Sequence, residues 1–206
     1  SLEADVQLSG AAGADLVYAP TVAEIYGDAS FITVDPGPLG DILEGAARPG
    51  HFRGMLTVVA KLLHLTASDS ALFGEKDYQQ LMLITEMVRQ LNFPTKVVAV
   101  ETVREPDGLA MSSRNRYLSP PERALASVVP SALAQTARVS QADGAEAGVS
   151  AGLAVLAAIP GVAVDYLTVT DPMLGAAKPG PGRALIAVRV GQTRLLDNLP
   201  CTVAGP

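Results

Sequence analysis

The sequence contains a single cysteine, Cys201, and only two histidines among its 206 residues. One thiol cannot form an internal disulfide, and this set of ligands is too small for a zinc cluster. Disulfide-linked scaffolds and zinc-cluster proteins are therefore excluded. We interpret Cys201 as a free or half-buried thiol without a role.

The sequence also lacks any cluster of Lys and Arg, and its formal net charge is −6. Proteins that bind nucleic acid or anionic membranes usually present a basic surface. We therefore expect no nucleic-acid partner and no membrane partner. A small anionic substrate needs only two or three well-placed cations, so it is compatible with this charge.

Long apolar runs are missing as well. No uninterrupted run reaches the ~18 residues of a membrane span, and the chain does not open with a basic and then apolar signal segment. Apolar residues make up 49% and charged residues 17% of the chain, which provides for a packed core and argues against disorder. A soluble, cytoplasmic protein is the default expectation.

The first half of the chain shows the apolar patterns of alternating strands and helices. Short apolar runs bounded by Pro and Gly predict strands, and apolar residues at steps of three and four predict helices. Strand, helix and strand with short connections indicate a parallel α/β sheet. The predicted strands are residues 16–18, 31–34, 71–73 and 96–100, the last of them buried, and the predicted helices are residues 52–63 and 81–91.

The second half has a different pattern, which indicates an α+β unit. Residues 121–158 are rich in Ala and favour helix, although three glycines weaken the later part. We expect an α/β domain over residues 1–102 and a smaller α+β domain over residues 103–206. The other predicted features are an ordered loop at residues 104–119, strands at residues 162–169, 184–190 and 193–196, a hairpin turn at residues 191–192, and a loop at residues 178–182.

The first polar segment, residues 48–54, reads Arg-Pro-Gly-His-Phe-Arg-Gly and precedes a predicted helix. A helix N-terminus favours anions because its backbone N–H groups are unpaired and its dipole is positive there. The two arginines and His51 are compatible with an anion site and also with a solvated loop.

The second polar segment, residues 74–80, follows a predicted strand and opens a helix, where open α/β sheets bind ligands. Gly74 permits close approach of the backbone to a ligand, Lys76 can reach a phosphate, and Gln80 lies one turn further on the same helical face. Asp77 can bond ribose hydroxyls or cap the helix. A ligand site and a capped, solvated helix start are therefore both open.

The third polar segment, residues 107–115, reads Asp-Gly-Leu-Ala-Met-Ser-Ser-Arg-Asn. The hydroxyls of Ser112 and Ser113, followed by the guanidinium of Arg114, can clasp a phosphate through neutral and charge-assisted hydrogen bonds. Serine-rich loops are common, so a solvated turn is the alternative interpretation.

In this order and at these separations, the three segments together resemble the pantothenate synthetase family. The resemblance runs from Leu2 to the final strands and is strongest over residues 48–119. It implies a fold of the α/β class, with a partial Rossmann-like nucleotidylyl transferase domain followed by a smaller α+β domain. It also implies a homodimer.

The resemblance implies an ATP-dependent condensation of pantoate with β-alanine. Pantoate first forms a pantoyl adenylate with release of pyrophosphate, and β-alanine then gives pantothenate and AMP. Such chemistry depends on positioning and charge stabilisation. Mg²⁺ is expected with ATP, bridging its phosphates rather than sitting in a protein cage.

The family pattern also implies the site residues of this chain. Those with a catalytic role on the phosphates are Lys76, Ser112, Ser113 and Arg114. Those of the nucleotide site are Gly74, Glu75, Lys76, Asp77, Val103, Met111, Ser112, Ser113 and Arg114, with Asp77 near the ribose and Val103 contacting adenine through its backbone. Those of the pantoate site are Gln80, His51 and Arg53.

One departure from the family pattern is large. The family begins with a strand that leads into a Met-Gly-x-Leu-His-x-Gly-His loop, whose histidines contact the phosphates, and this loop is not found in the sequence. We expect the chain to be a fragment of a longer protein. The alternatives are a catalytically incomplete binding or dimerisation module and a nucleotidylyl transferase that uses another acid, although Gln80 argues against the latter.

Overall fold

The computed structural model describes residues 1–28 and 32–205, which form two separate sheets with helices packed beside each. In chain order, the helices and strands are α1 (Leu2–Ala11), α2 (Val22–Tyr26), α3 (Glu44–Ala47), α4 (His51–Thr66), β1 (Ser70–Gly74), α5 (Tyr78–Gln90), β2 (Lys96–Val100), α6 (Pro120–Ala126), α7 (Val128–Asp143), α8 (Ala145–Ala157), β3 (Val162–Thr170), β4 (Gly180–Val190) and β5 (Thr193–Val203). Short 3₁₀ turns lie at Pro38–Gly40, Glu75–Asp77 and Ser113–Tyr117.

The first sheet pairs β1 with β2 in parallel, with Ser70 opposite Lys96 and Gly74 opposite Val100. The apolar faces of α4 and α5 pack against each other and against one face of this sheet, around buried residues such as Leu56 and Ile84. The predicted strands and helices of this region are confirmed. The predicted burial of the second strand is wrong, because the other face of the two strands is uncovered by the described residues and Val100 is 40% exposed.

The second sheet is antiparallel, in the order β3, β4, β5, and α7 and α8 cover one of its faces. The central strand β4 is buried along most of its length, and a turn at Gly191, with φ +56°, joins it to β5. A parallel sheet followed by an antiparallel one confirms the predicted fold class. The domain boundary near residue 102 stays a prediction. No helix among the described residues is both long enough and apolar enough to cross a membrane.

Two strand predictions near the start of the chain are wrong for the residues that the structure describes. Residues 16–18 and 32–34 form no strand, whereas Phe31 lies outside the described residues. A strand needs a paired neighbour, and here Leu16 is 82% and Ile32 88% exposed. The N–H of Val34 instead donates to the Thr57 hydroxyl of α4 at 2.9 Å.

The predicted loop at residues 178–182 is also wrong in part, because Gly180–Gly182 form the start of β4 and pair with the end of a β5 that is longer than predicted. A Cβ on Gly182 would lie 3.0 Å from the Thr170 carbonyl oxygen, so glycine permits this pairing. Pro200 is tolerated because β5 is an edge strand.

Two glycines of α8 explain how closely this helix packs on α7. A Cβ built on Gly148 would lie 2.0 Å from the Ser140 Oγ, and one on Gly152 would lie 2.0 Å from the Thr136 Oγ1. The glycines that weaken the helical propensity of this stretch are therefore required by the contact between the two helices.

Adding a methyl group at Gly152 is expected to destabilise the protein. Gly152→Ala should lower the free energy of unfolding by about 1–3 kcal/mol through overpacking against α7. Gly54→Ala is the matched control, because a Cβ at this position in α4 meets no atom within 4 Å. It should raise the free energy of unfolding by about 0.5–1 kcal/mol. Urea unfolding measures both, and equal stability of Gly152→Ala and the wild type would contradict the close packing.

Candidate active site

The turn that follows β1 carries the second polar segment. The strand ends at Gly74, and the 3₁₀ turn Glu75–Asp77 leads directly into α5. Lys76 is largely buried, with its Nζ 3.5 Å from the Asp77 Oδ2. Asp77 occupies the N-cap position of α5 without a side-chain hydrogen bond to the helix. The capping interpretation is therefore wrong for the side chain of Asp77.

Two adjacent glutamines at the start of α5 differ in their surroundings. Gln79 is buried: its Oε1 accepts from the Glu44 N–H at 2.9 Å, and its Nε2 donates to the carbonyls of Leu39 and Ile42 at 2.7 and 2.9 Å. Gln79 thus ties α5 to the segment ahead of α4. Gln80, which the sequence predicts as a pantoate ligand, points to the other side and lines a cavity.

Arg48 and His51 lie together at the start of α4. The Arg48 Nη1 donates to the His51 Nε2 at 3.0 Å, and since arginine only donates, this nitrogen of the ring accepts. Burial lowers the pKa of His51, and the Arg48 charge lowers it further, against the opposite effects of Glu44 and Asp77. Both effects favour the uncharged form of the ring, in agreement with its acceptor role toward Arg48.

Arg53, the other arginine of the first polar segment, lies elsewhere. It forms an exposed ion pair with Asp35, at 2.7 Å. The family pattern implied Arg53 as a pantoate residue and left out Arg48, whereas Arg48 is the arginine of this segment that lines the cavity described below.

The third polar segment is an ordered loop that folds back on itself. Arg104 and Ala110 form an isolated antiparallel bridge, and the Met111 N–H donates to the Val103 carbonyl at 2.9 Å. Beyond this bridge the Ser112 Oγ accepts from the Arg114 N–H at 3.2 Å. The loop predicted at residues 104–119 is thus ordered, as expected.

A cavity of about 420 Å³ lies where the three polar segments meet β5. Six predicted site residues line it: His51, Lys76, Asp77, Gln80, Ser112 and Arg114. The other six are not among its lining residues: Gly74, Glu75, Val103, Met111, Ser113 and Arg53. The assigned role of each of these residues stays a prediction.

The sequence did not single out Glu44 and Arg194, which also line the cavity. Arg194, from β5, donates to both carboxylate oxygens of Glu44, at 2.6 and 2.8 Å, and to Asp165 at 2.5 Å. The Tyr166 hydroxyl donates to Glu44 at 2.9 Å, and its burial raises the pKa of this phenol. The partners are too far apart in the chain for any local pattern to reveal the pair.

Known proteins match nearly the whole chain. A family model described as Pantoate-beta-alanine ligase matches residues 1–200. Pantothenate synthetase from Mycobacterium sp. (strain KMS) is 53% identical over 200 residues, covering 97% of this chain and 64% of that protein. Pantothenate synthetase from Nocardioides sp. (strain ATCC BAA-499 / JS614) is 54% identical over 206 residues, covering 97% and 61%. The chain thus spans less than two-thirds of these relatives.

Solved structures show the same fold. Pantothenate synthetase from Thermus thermophilus has a TM-score of 0.89 and 46% identity, covering 97% of this chain and 74% of that one. Pantoate-beta-alanine ligase from Francisella tularensis, complexed with beta-gamma ATP and beta-alanine, has a TM-score of 0.77 and 32% identity, covering 97% and 69%. The family resemblance of the three polar segments is thereby confirmed, and the chain belongs to the pantoate–β-alanine ligase family.

Proposed function

We propose that this chain serves the ATP-dependent condensation of pantoate with β-alanine, through a pantoyl adenylate, to give pantothenate, AMP and pyrophosphate. Membership of the family supports the overall reaction. The observation that carries the proposal is the meeting of Lys76, Ser112 and Arg114 with Gln80 and His51 around one cavity. These residues come from three separate segments of the sequence, and a cavity is where such a reaction requires them.

In the first step, a carboxylate oxygen of pantoate attacks the α-phosphorus of ATP and the bond to pyrophosphate breaks. Negative charge on the phosphate oxygens is then stabilised by the ammonium of Lys76, the guanidinium of Arg114 and the hydroxyl of Ser112. In the second step, the amine of β-alanine attacks the acyl carbon, loses a proton, and AMP leaves. The relative from Francisella tularensis, complexed with beta-gamma ATP and beta-alanine, supports both of these substrates.

We assign the pantoate end of the cavity to Gln80 and His51. The amide of Gln80 offers a donor and an acceptor for the hydroxyl and carboxylate of pantoate. The uncharged His51 is held beside Arg48, which brings a cation to the same end. Arg53 is a weaker candidate, because it pairs with Asp35 outside the cavity.

Mg²⁺ is proposed to enter with ATP. No three His, Cys, Asp or Glu side chains come together as a metal site within residues 1–28 and 32–205. Two carboxylates line the cavity, and that of Glu44 is already bonded to Arg194 and Tyr166. Asp77 is the other, and we place it near the ribose or a Mg²⁺-bound water. Bound with ATP, the ion would neutralise part of the phosphate charge, with Asp77 the nearest available carboxylate of the cavity.

Several finer points stay proposals. We propose that residues 103–206 act as a lid over the nucleotide-binding residues 1–102, since contacts to Glu44 and to the 75–77 turn come from β5. The homodimer and the cytoplasmic location stay predictions. The alternative of a binding module is less favoured, because Lys76, Gln80, Ser112 and Arg114 still surround one cavity.

Lys76→Ala is expected to lower AMP formation from ATP, D-pantoate, β-alanine and Mg²⁺ by about 100-fold or more, because a cation on the phosphates is lost. Lys96→Ala, at an exposed position at the start of β2, removes the same charge and should leave the rate unchanged. AMP and pantothenate are both quantified by chromatography. Similar and measurable rates for the two variants would contradict the role of Lys76.

The same assay also addresses the shorter length of the chain relative to the curated relatives. If the 206-residue chain releases no AMP, it is extended with the part of the Mycobacterium relative that it does not span. Recovery of AMP release in the extended protein would support the ligase. ATP binding without AMP release in that protein would favour the binding module instead.

Saturation with D-pantoate is expected to raise the pKa of His51, because a carboxylate beside the ring stabilises the imidazolium form. The pKa in the absence of pantoate is lowered by burial and Arg48. Proton NMR of the ring, titrated with and without D-pantoate, measures the change. The ring of His64, which packs against Phe93, is an internal reference. An unchanged His51 titration at saturating pantoate would place the acid elsewhere.

A further inference from the structure

Two adjacent polar residues of β5, Asp197 and Asn198, are almost completely buried, at 3% and 2% exposure. Buried polar side chains on an edge strand need partners, because an unpaired one is strongly unfavourable. Asn198 bonds Arg183 of the same sheet, but it also bonds the turn of the second polar segment, and Asp197 bonds Arg104, just ahead of the third polar segment. Neither side chain takes part in the chemical steps of the proposed function.

Asn198 holds the turn that carries Lys76. Its Nδ2 donates to the carbonyl oxygens of Glu75 and Lys76, both at 2.9 Å. The Arg183 Nε donates to the Asn198 Oδ1 at 2.7 Å, which fixes the orientation of the amide. Both donors of the amide are therefore used on two consecutive carbonyls of one turn.

Arg183 of β4 also contacts the turn that carries Lys76. Its Nη2 donates to the Glu75 Oε2 at 2.8 Å, and its guanidinium lies 4.1 Å from the centre of the Tyr78 ring. This explains why Glu75, a predicted nucleotide-site residue, is not among the residues that line the cavity. The carboxylate of Glu75 serves the contact between β4 and the turn.

Asp197 holds the loop that carries Ser112 and Arg114. Arg104 donates to both of its carboxylate oxygens, at 2.7 and 2.9 Å, and to the Gly108 carbonyl at 2.9 Å. Two parallel bonds between a guanidinium and a carboxylate define direction as well as distance. The backbone of Arg104 forms the isolated β-bridge with Ala110, two residues before Ser112. The loop is thereby anchored close to its phosphate-binding end.

Successive side chains of a strand point to opposite faces, so neighbouring residues of β5 reach two different segments. We propose that Asp197 and Asn198 are positioning residues that set the spacing between Lys76 and the Ser112–Arg114 loop. This inference rests on the proposed function, since it requires both segments to bind one nucleotide. An error of about 1 Å in such a spacing is enough to lower the rate about 100-fold.

The test is a double-mutant cycle. The dissociation constant of Mg²⁺-ATP is measured by calorimetry for each variant of the chain. Asn198→Asp retains the size and the acceptor for Arg183 but cannot donate to the two carbonyls. It should weaken ATP binding about tenfold in the wild type and less than about threefold in the Lys76→Ala background. Asn92→Asp, at an exposed position after α5, is the matched control and should leave binding unchanged.

Asp197 should couple to the loop that carries Ser112 and Arg114. Asp197→Asn should weaken ATP binding to a similar extent in the wild type and in the Lys76→Ala background, but have little effect in Arg114→Ala. This crossed pattern distinguishes positioning from a general loss of stability, which would lower affinity alike in every background. If Asn198→Asp does not fold, Asn198→Ser keeps one donor and replaces it.

The outcomes separate the two proposals. If neither the 206-residue chain nor its extended form binds Mg²⁺-ATP, the proposed function and this inference are overturned together. Binding that is weakened by Lys76→Ala, but equally sensitive to Asn198→Asp in both backgrounds, would overturn only the positioning role. The crossed pattern of couplings would support it.

Discussion

The ion pair between Glu44 and Arg194 is one of the polar contacts that join two separate apolar cores, one around α4 and α5 and one around α7, α8 and the antiparallel sheet. A pair with so little exposure adds little net stability, because the carboxylate and the guanidinium both lose water. Removing Arg194, however, leaves the buried carboxylate of Glu44 without a cation, which is strongly unfavourable. The pair therefore fixes the position of α3 relative to β5, and the cavity lies beside this contact.

This arrangement also determines the charge of the cavity. Because Glu44 is bonded to Arg194, the other lining cations, Arg48, Lys76 and Arg114, face the single remaining carboxylate of Asp77. The protein as a whole carries a net charge of −6. A local excess of positive charge in a concave site attracts anions independently of the overall charge. An acidic protein can therefore present a site suited to phosphates and carboxylates.

The parts of the site that the sequence predicted are contiguous segments, since a strand end, a turn and a helix start are visible in a few residues. Gln79 and Gln80 show the limit of prediction from sequence. They are adjacent and of the same type, and only tertiary packing buries Gln79 in contact with Glu44 and places Gln80 at the cavity. The strands predicted at residues 16–18 and 31–34 do not form over the described residues, because apolar character indicates a strand only where a partner pairs with it. Arg194 could likewise not be linked to Glu44, because the two residues lie 150 positions apart in the sequence.

The glycines of α8 show how a locally unfavourable residue contributes to the site. Gly148 and Gly152 lower the helical propensity, yet they let α8 approach α7 at a distance that a Cβ would prevent. α7 in turn packs on the sheet, and its Ser140 carbonyl accepts from the Ala204 N–H at 2.9 Å, just beyond β5. Since β5 reaches the cavity through Arg194 and α7 reaches it through Val129, the packing of α8 on α7 contributes to the position of lining residues. Tertiary contacts thus override local propensity at the places where the site depends on them.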